Sequence, residues 1–425
     1  MTLSSGSMSE YRPVPDADVP EFQRILSYAF SPAEEHEPTD SLEELPPRAT
    51  LGDRRAIYEG SEIRCTAVHH WFRLRVRSEF EEVPGLSAVA TPPEYRRQGL
   101  VGRLLAQSLS EYREHGAGFC ALWPFSHPFY RQFGWGLCSR YGRVTCGPEA
   151  LAGIGPGKEG ESNGREHRFR RCSPEEWAAL DRVYSATDDR DLTMDRTEAW
   201  WRKRVFTGWD TDPYATGVER DGRLVGYLVY DIEESENGDG RRMVVREAGH
   251  VDIEACRAVL EFCRNHDSQI EEIKFRGPAE TSLQDLARDP GEIAVEIEAG
   301  PMIRIVDLAR ALSGLSYPAG IEVDLALEVA DGVADWNDGR FRLSIADGSG
   351  GCEPIVGGTD VLTDAGSDDD ADLVTSITTL SQVAVGYLSV DRAETVGDFE
   401  VASAEARETL EAAFPPRETF LREFF

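Results

Sequence analysis

The sequence predicts an α/β chain of three domains, at 8–150, 166–312 and 316–425. Three observations carry this expectation. Residues 86–123 order a buried strand (LSAVAT), a loop bearing Arg and Gly, an amphipathic helix and a second buried strand (GFCALW), at the spacing of a βαβ unit. The order helix, paired strands, strand, helix, strand then recurs in part after residue 166. Residues 316–425 change character, with 23 acidic residues, six Arg and no Lys. A length of 425 residues exceeds one ordinary core and agrees with several domains.

Each element follows from local pattern. Residues 11–30 read as a short strand, a turn and an amphipathic helix, with Asp16 and Asp18 at its N-terminus, where the dipole favours them. Strands at 55–59 and 62–78 flank Glu59-Gly60-Ser61, with alternation in TAVHHWFRLRV. Pro92-Pro93 ends the strand LSAVAT. A helix over 100–115 places Leu100, Val101, Leu104, Leu105, Leu109 and Tyr112 on one face. A short helical piece at 129–133 stops at Gly134, and the Gly-rich stretch 151–166 reads as a linker or long loop. Beyond it come the strand HRFRRC, helices at 174–184 and around Trp200-Trp201, strands at 213–219, 223–231 and 242–247, a helix over 253–266 and a strand at 271–276. The last domain carries strands at 320–329 and 340–345, an acidic loop GSDDDAD at 366–372, a helix opening over 373–380 and a largely helical 399–414. The chain ends FLREFF, and a terminus this apolar is expected to dock against the protein.

The net charge of −32, from 77 acidic and 45 basic residues, argues against a nucleic-acid partner. It suits amine-bearing, cationic substrates, and a salt-rich cytoplasm in which screening tempers self-repulsion. An acidic protein of ordinary salt is the other reading. No apolar run of about 18 residues predicts a membrane span, and the polar N-terminus lacks a secretory h-region, so the expected location is cytoplasmic. Eight cysteines form no CxxC pair and no histidine lies near them at ligand spacing, so no metal site is expected.

The segment that carries chemistry is LSAVATPPEYRRQGLVGRLL. Its loop aims several backbone N–H groups and a helix N-terminus at one place, which suits a pyrophosphate. Gly99 and Gly102 permit close approach, and Arg96 or Arg97 adds charge. The same loop alone would also fit a polar turn before an ordinary helix. The strand pair around it and a tyrosine just beyond favour the anion-holding reading.

Strand, R-x-x-G-x-x-G loop, helix, strand and Tyr together resemble the acetyl-CoA core of the GNAT acetyltransferases. The follow-on HPFYRQFGWG (127–136) is similar to the xxYxRFGYG signature of the Eis (enhanced intracellular survival) type. Gln132 stands where that signature has Arg, Trp135 replaces its second Tyr, and Gln98 replaces a third loop Arg. The resemblance implies two tandem GNAT-like domains, the second degenerate, and a C-terminal sterol-carrier-protein-like (SCP2-like) α/β domain. It implies acetyl-CoA as co-substrate and a homo-oligomer, commonly a hexamer. Light scattering that gave one size at molar and at low salt would contradict the weakening expected of such an assembly at low salt.

What the resemblance implies for residues is specific. Val89, Ala90 and Thr91 would present backbone groups to the pantetheine arm and thioester. Arg97, Gln98, Gly99, Leu100, Val101 and Gly102 would hold the pyrophosphate, with Phe125 and Ser126 beside the cofactor. The carboxylate of Phe425 would be the base and Tyr130 the acid. From spacing alone Tyr130 equally reads as a core aromatic, and Phe425 as a docked tail. The second domain offers acids (GHVDIEACRAVLEF) where the first has Arg and Gly, so it is expected to bind no pyrophosphate. The expected activity is N-acetylation of a primary amine, whether aminoglycoside-like, polyamine or lysine. The alternative is a protein that binds acetyl-CoA or an apolar ligand without turnover.

Overall fold

The structure, a computed structural model, describes residues 9–33, 45–154, 167–209, 211–235, 240–280, 283–355 and 371–425. The expected linker from 155 onward and the acidic tract up to residue 370 lie outside the described residues.

The first α/β unit runs β1 (Ser9–Pro13), α1 (Val19–Phe30), β2 (Asp53–Glu59), β3 (Glu62–His70), the small hairpin β4 (Arg73–Val76) and β5 (Glu79–Glu82), β6 (Gly85–Ala90), α2 (Leu100–Glu114), β7 (Phe119–Leu122), α3 (His127–Arg131), β8 (Gly136–Leu137) and β9 (Arg140–Cys146). The second runs β10 (His167–Arg171), α4 (Trp177–Thr187), α5 (Glu198–Trp200), β11 (Tyr214–Arg220), β12 (Arg223–Glu234), β13 (Arg241–His250), α6 (Ile253–Arg264), β14 (Glu272–Pro278), α7 (Leu283–Leu286), β15 (Ile293–Ala299) and β16 (Met302–Ile305). The third comprises α8 (Leu308–Gly314), β17 (Val323–Ala330), β18 (Gly339–Ala346), β19 (Ser349–Pro354), β20 (Leu373–Ser376), α9 (Ile377–Ala384), α10 (Val390–Val396), β21 (Phe399–Val401) and α11 (Ala404–Ala413).

Apolar spacing explains which faces are buried. On α2, Leu100, Leu104, Leu105, Leu109 and Tyr112 are buried against the first sheet. Each leucine so removed from water contributes about 1.5–3 kcal/mol. On α1, Val19, Phe22 and Ile25 do the same.

Two seven-stranded sheets form, in the orders β1-β2-β3-β6-β7-β16-β8 and β10-β11-β12-β13-β14-β9-β15. They exchange strands. β9 leaves the first unit to pair with β14 and β15, and β16 crosses back to pair with β7 and β8. The sheets therefore divide at 138–140 and 300–302, inside the expected 8–150 and 166–312 segments. The cause is edge satisfaction: the parallel strand β7 would otherwise expose unpaired backbone groups, and antiparallel β16 covers them.

The third unit is a five-stranded sheet, β19-β18-β17-β20-β21, packed with helices. The helix expected over 373–380 starts four residues later. Leu373–Ser376 is a strand parallel to β17, as its β-branched Val374-Thr375 favours, and the Ser376 hydroxyl caps α9. Likewise 399–401 is a strand before α11. A single buried apolar cluster joins Leu74, Phe119, Trp201, Leu327, Leu380 and Phe414, so all three units share one core. The last residues thread back through it. Asp191 donates its N–H to Glu418 O at 3.0 Å and accepts from Phe420 N at 2.9 Å, and Phe420 and Leu421 are buried.

Candidate active site

β6 and β7 begin as parallel neighbours and then part. Only Gly85–Ala121 and Leu86–Leu122 are in register. Across its other edge β6 bulges: Ala88 and Val89 together face Ala67 of β3, and Ala88 has φ 53°. Thr66 steadies the bulge by donating to Ala88 O at 3.0 Å. The β7-facing edge of Val89 and Ala90 thus has no strand partner among the described residues, and it lines a notch. Such an edge can take an extended ligand arm as a strand would.

Thr91 leads from that edge into the loop. Pro93–Tyr95 make a single 3-10 turn, Arg96 Nε donates to Thr91 O at 3.0 Å and Gln98 to Glu94 O at 3.4 Å. Arg97 and Gly99 both have positive φ, 61° and 73°, and all of 96–99 is exposed. These two turns bring the chain round so that α2 starts at Leu100 with no side-chain cap. The first N–H to find a helical acceptor is that of Arg103, bonded to Gly99 O at 3.1 Å. The N–H groups of Leu100, Val101 and Gly102 precede the first helical hydrogen bond, at the positive end of the helix dipole, a disposition that suits an anion. Gly102 also serves packing, since a Cβ there would stand 3.1 Å from the Phe133 ring.

Tyr130 lies on α3, whose N-cap is Ser126. It is 3% exposed, with the rings of Phe125 and Phe129 each 5.3 Å away and Trp135 at 6.2 Å. Burial pushes its phenol well above the ordinary value, and the Cys65 thiol nearby adds to the effect. Thr91 Oγ1 donates to the same sulfur at 3.3 Å. Phe125, by contrast, is 65% exposed, with its ring against those of Phe129 and Tyr130.

Phe425 sits on the other face of the sheet. Its ring lies 4.8 Å from Phe72 and 5.7 Å from His70, and a Cβ on Gly85 would stand 2.7 Å from it. The next residue of β6, Leu86, belongs to the cluster that contains Leu100, Leu104 and Tyr130. Consecutive strand residues point to opposite faces. Tyr130 and Phe425 therefore flank the parting of β6 and β7 from its two sides.

Residues outside the sequence-based expectations position that terminus. Trp123 Nε1 donates to Glu423 O at 2.5 Å, and Arg204 Nε to Phe424 O at 3.1 Å. The Glu423 side chain accepts from Arg196 Nε at 2.8 Å and from Tyr184 OH at 3.1 Å. Arg196 in turn holds Glu247 through two bonds of 2.7 Å. Beside Phe425, His70 shares a hydrogen bond with Ser87 Oγ at 2.9 Å. Burial, with Arg204 adding to it, pushes its imidazole down to about 3, so the ring is neutral at working pH.

The second unit lacks the open helix end. The Asp252 side chain caps α6 by accepting from Ala255 N at 2.9 Å, and Arg220 pairs with Asp252 and Glu254. Among the described residues no group of three His, Cys, Asp or Glu is disposed to hold a metal ion, and no helix is long and apolar enough to cross a membrane.

Comparison with known proteins follows the same division. Residues 10–138 match an acetyltransferase (GNAT) domain, residues 192–305 a second acetyltransferase (GNAT) domain, and residues 308–422 a sterol carrier protein domain. An uncharacterized N-acetyltransferase of Streptomyces griseus is 26% identical over 432 residues, covering 95% of this chain and 96% of its own. The N-acetyltransferase Eis of Mycobacterium tuberculosis is 25% identical over 323 residues, 72% of this chain and 74% of its own. Among solved structures, Eis1 from Mycobacterium abscessus superposes with a TM-score of 0.74 at 19% identity, over 98% of this chain and 100% of that one. A GCN5-related N-acetyltransferase from Anabaena variabilis gives 0.79 at 19% identity, with the same coverage.

Proposed function

The chain is a GNAT-type acyl-CoA N-acyltransferase of Eis-like architecture, and on that premise we propose that it moves an acetyl group from acetyl-CoA to a primary amine, with the Phe425 carboxylate as base and Tyr130 as acid. The observation that carries this reading is the parting of β6 and β7 with Tyr130 on one face and Phe425 on the other.

Acetyl-CoA supplies the activated acyl group. Arg97 and the N–H groups of Leu100, Val101 and Gly102 receive its pyrophosphate, with Gln98 and Gly99 shaping the turn. Val89, Ala90 and Thr91 offer backbone groups to the pantetheine arm, and an N–H of that edge stabilises the charge developing on the thioester oxygen. Phe125 and Ser126 border the same arm. The Phe425 carboxylate takes the proton that the amine loses as its nitrogen bonds the acyl carbon. The Tyr130 hydroxyl, held protonated by burial, gives its proton to the sulfur as the C–S bond breaks, and is reprotonated from solvent. The protein works as a homo-oligomer in this reading, as the family resemblance implies.

The test is CoA release from acetyl-CoA with a panel of primary amines, comparing the parent chain, Tyr130→Phe and a chain extended by two residues after Phe425. Turnover lost in both variants is the expected result. Turnover that survives the extension removes the carboxylate as base. Acetyl-CoA binding without turnover on any amine would make the protein a binder.

A further inference from the structure

The second sheet has its own parting. β13 and β14 run parallel from Arg242–Glu272 to Val245–Phe275 and then separate. A cavity of about 490 Å³ occupies the gap, walled by Arg246 and Glu247 on one side and Phe275 and Arg276 on the other, with Arg204 and Phe424 at its rim. It therefore opens beside Phe424, the residue that precedes Phe425.

Its charge is opposite to that of the chain. Nine Arg or Lys residues line it against three Glu, in a protein of net charge −32; Arg143, Arg196, Arg242, Arg246, Lys274 and Arg422 each hold a carboxylate, which leaves Arg48, Arg204 and Arg276 as its uncompensated cations among the described residues. Two of those three glutamates, Glu247 and Glu423, are already engaged by Arg196. Arg48 and Arg204 have no carboxylate within ion-pair distance among the described residues. Arg48 instead donates to Arg204 O at 3.1 Å and Thr207 O at 2.9 Å, and its Nε is buried without a partner. Arg276, exposed, lies over the Tyr141 ring at 4.8 Å, and no carboxylate lies within ion-pair distance of it among the described residues. Burial, then repulsion from Arg48 and Arg246, pushes Arg204 down to about 9. The guanidiniums of Arg48 and Arg204 are repelled by Arg246, and that of Arg204 by Arg48 as well, a repulsion that an anion entering between them would relieve.

We propose that the amine acceptor carries an anionic group, carboxylate or phosphate, which this basic cavity receives while the amine reaches Phe425. The inference rests on the acetyltransferase reading above. A polyamine or another polycation would meet positive potential at the entrance and be turned away. The pyrophosphate of acetyl-CoA does not explain the cavity, because the loop at 97–102 lies on the α2 face of the first sheet and the cavity lies on the Phe425 side. Arg204 links the two functions, since it lines the cavity and holds the Phe424 carbonyl.

The experiment compares kcat/KM for 4-aminobutyrate and O-phosphoethanolamine with that for ethanolamine and putrescine. The acid-bearing amines are expected to be preferred by about tenfold or more, and Arg276→Gln to shrink that ratio. Equal rates, or a preference for putrescine, overturn the proposal and leave the acetyltransferase reading standing. If none of the amines turns over, calorimetry with citrate at saturating CoA, which fills the other anion-holding loop, decides. Citrate bound by the parent chain and about tenfold more weakly by Arg276→Gln supports the cavity's assignment, and no binding by the parent chain overturns it.

Discussion

Arg196 and Glu423 meet at 2.8 Å with both side chains almost fully buried, 227 residues apart in sequence. The pair ties the second unit to the tail that delivers Phe425, and Glu247 completes it on the other side of the guanidinium. Removing the cation leaves two buried carboxylates without their ion-pair partner, held only by the hydroxyls of Tyr184 and Tyr227. Arg196→Met is expected to cost about 3–5 kcal/mol of stability, read from the shift of a urea transition. A cost under about 1 kcal/mol would mean the tail is held by its apolar contacts alone.

Gly85 is the point where the terminal ring touches β6. A Cβ there would stand 2.4 Å from the Phe72 ring and 2.7 Å from that of Phe425. Gly85→Ala should displace the terminus by a fraction of an ångström while leaving the loop at 97–102 intact. The expected result is a kcat lower by about tenfold to a hundredfold with acetyl-CoA affinity retained, measured by steady-state kinetics and calorimetry. Unchanged kcat would separate the ring's packing from the chemistry.

Two buried histidines give stability a pH dependence. Burial pushes His69 down to about 4 and His70 to about 3, from an ordinary value near 6.5. The unfolded chain thus binds protons at a pH where the folded chain does not. The stability these neutral rings support is present above about 6.5 and is lost as pH falls toward 4 and then 3. Urea midpoints should fall over that window, and His70→Gln should flatten the slope. A midpoint independent of pH between 6.5 and 4 would count against neutral burial.

Arg97 is exposed at a positive φ of 61°, a backbone state that Gln also tolerates poorly but no worse. Arg97→Gln is expected to raise KM for acetyl-CoA about tenfold with kcat nearly unchanged, because the lost contact acts on a distant phosphate and not on the reacting carbon. A fall in kcat alone would place Arg97 elsewhere in the reaction.

The loop at 96–102 was legible because its cause is local. Turn residues, a missing cap and a helical period all sit within twenty residues, and the structure brings them together as the spacing implies. The route of β9 and β16 was not legible, because each is a plain strand whose partner is chosen by an edge over a hundred residues away. The four residues Leu373–Ser376 read as helix because an apolar run precedes α9; their β-branched members and the open edge of β17 decide otherwise. Nor could spacing show that Glu423, an acid between Arg422 and Phe424, would find Arg196 and Tyr184. A charged residue inside the apolar terminus was the only hint.

The crossing of β9 and β16 sets a timetable for synthesis. The first sheet starts at Ser9, yet β7 stays open on one side until Met302–Ile305 has left the ribosome. Between β8 and β16 the nascent chain must wait through some 165 residues, on the order of ten to thirty seconds at ordinary elongation rates. During that interval an unclosed parallel edge is presented to every other nascent copy nearby. A chaperone that shelters that edge, or a pause-free message through 138–302, would matter more for the yield of this protein than for one whose sheets finish in the order they are made.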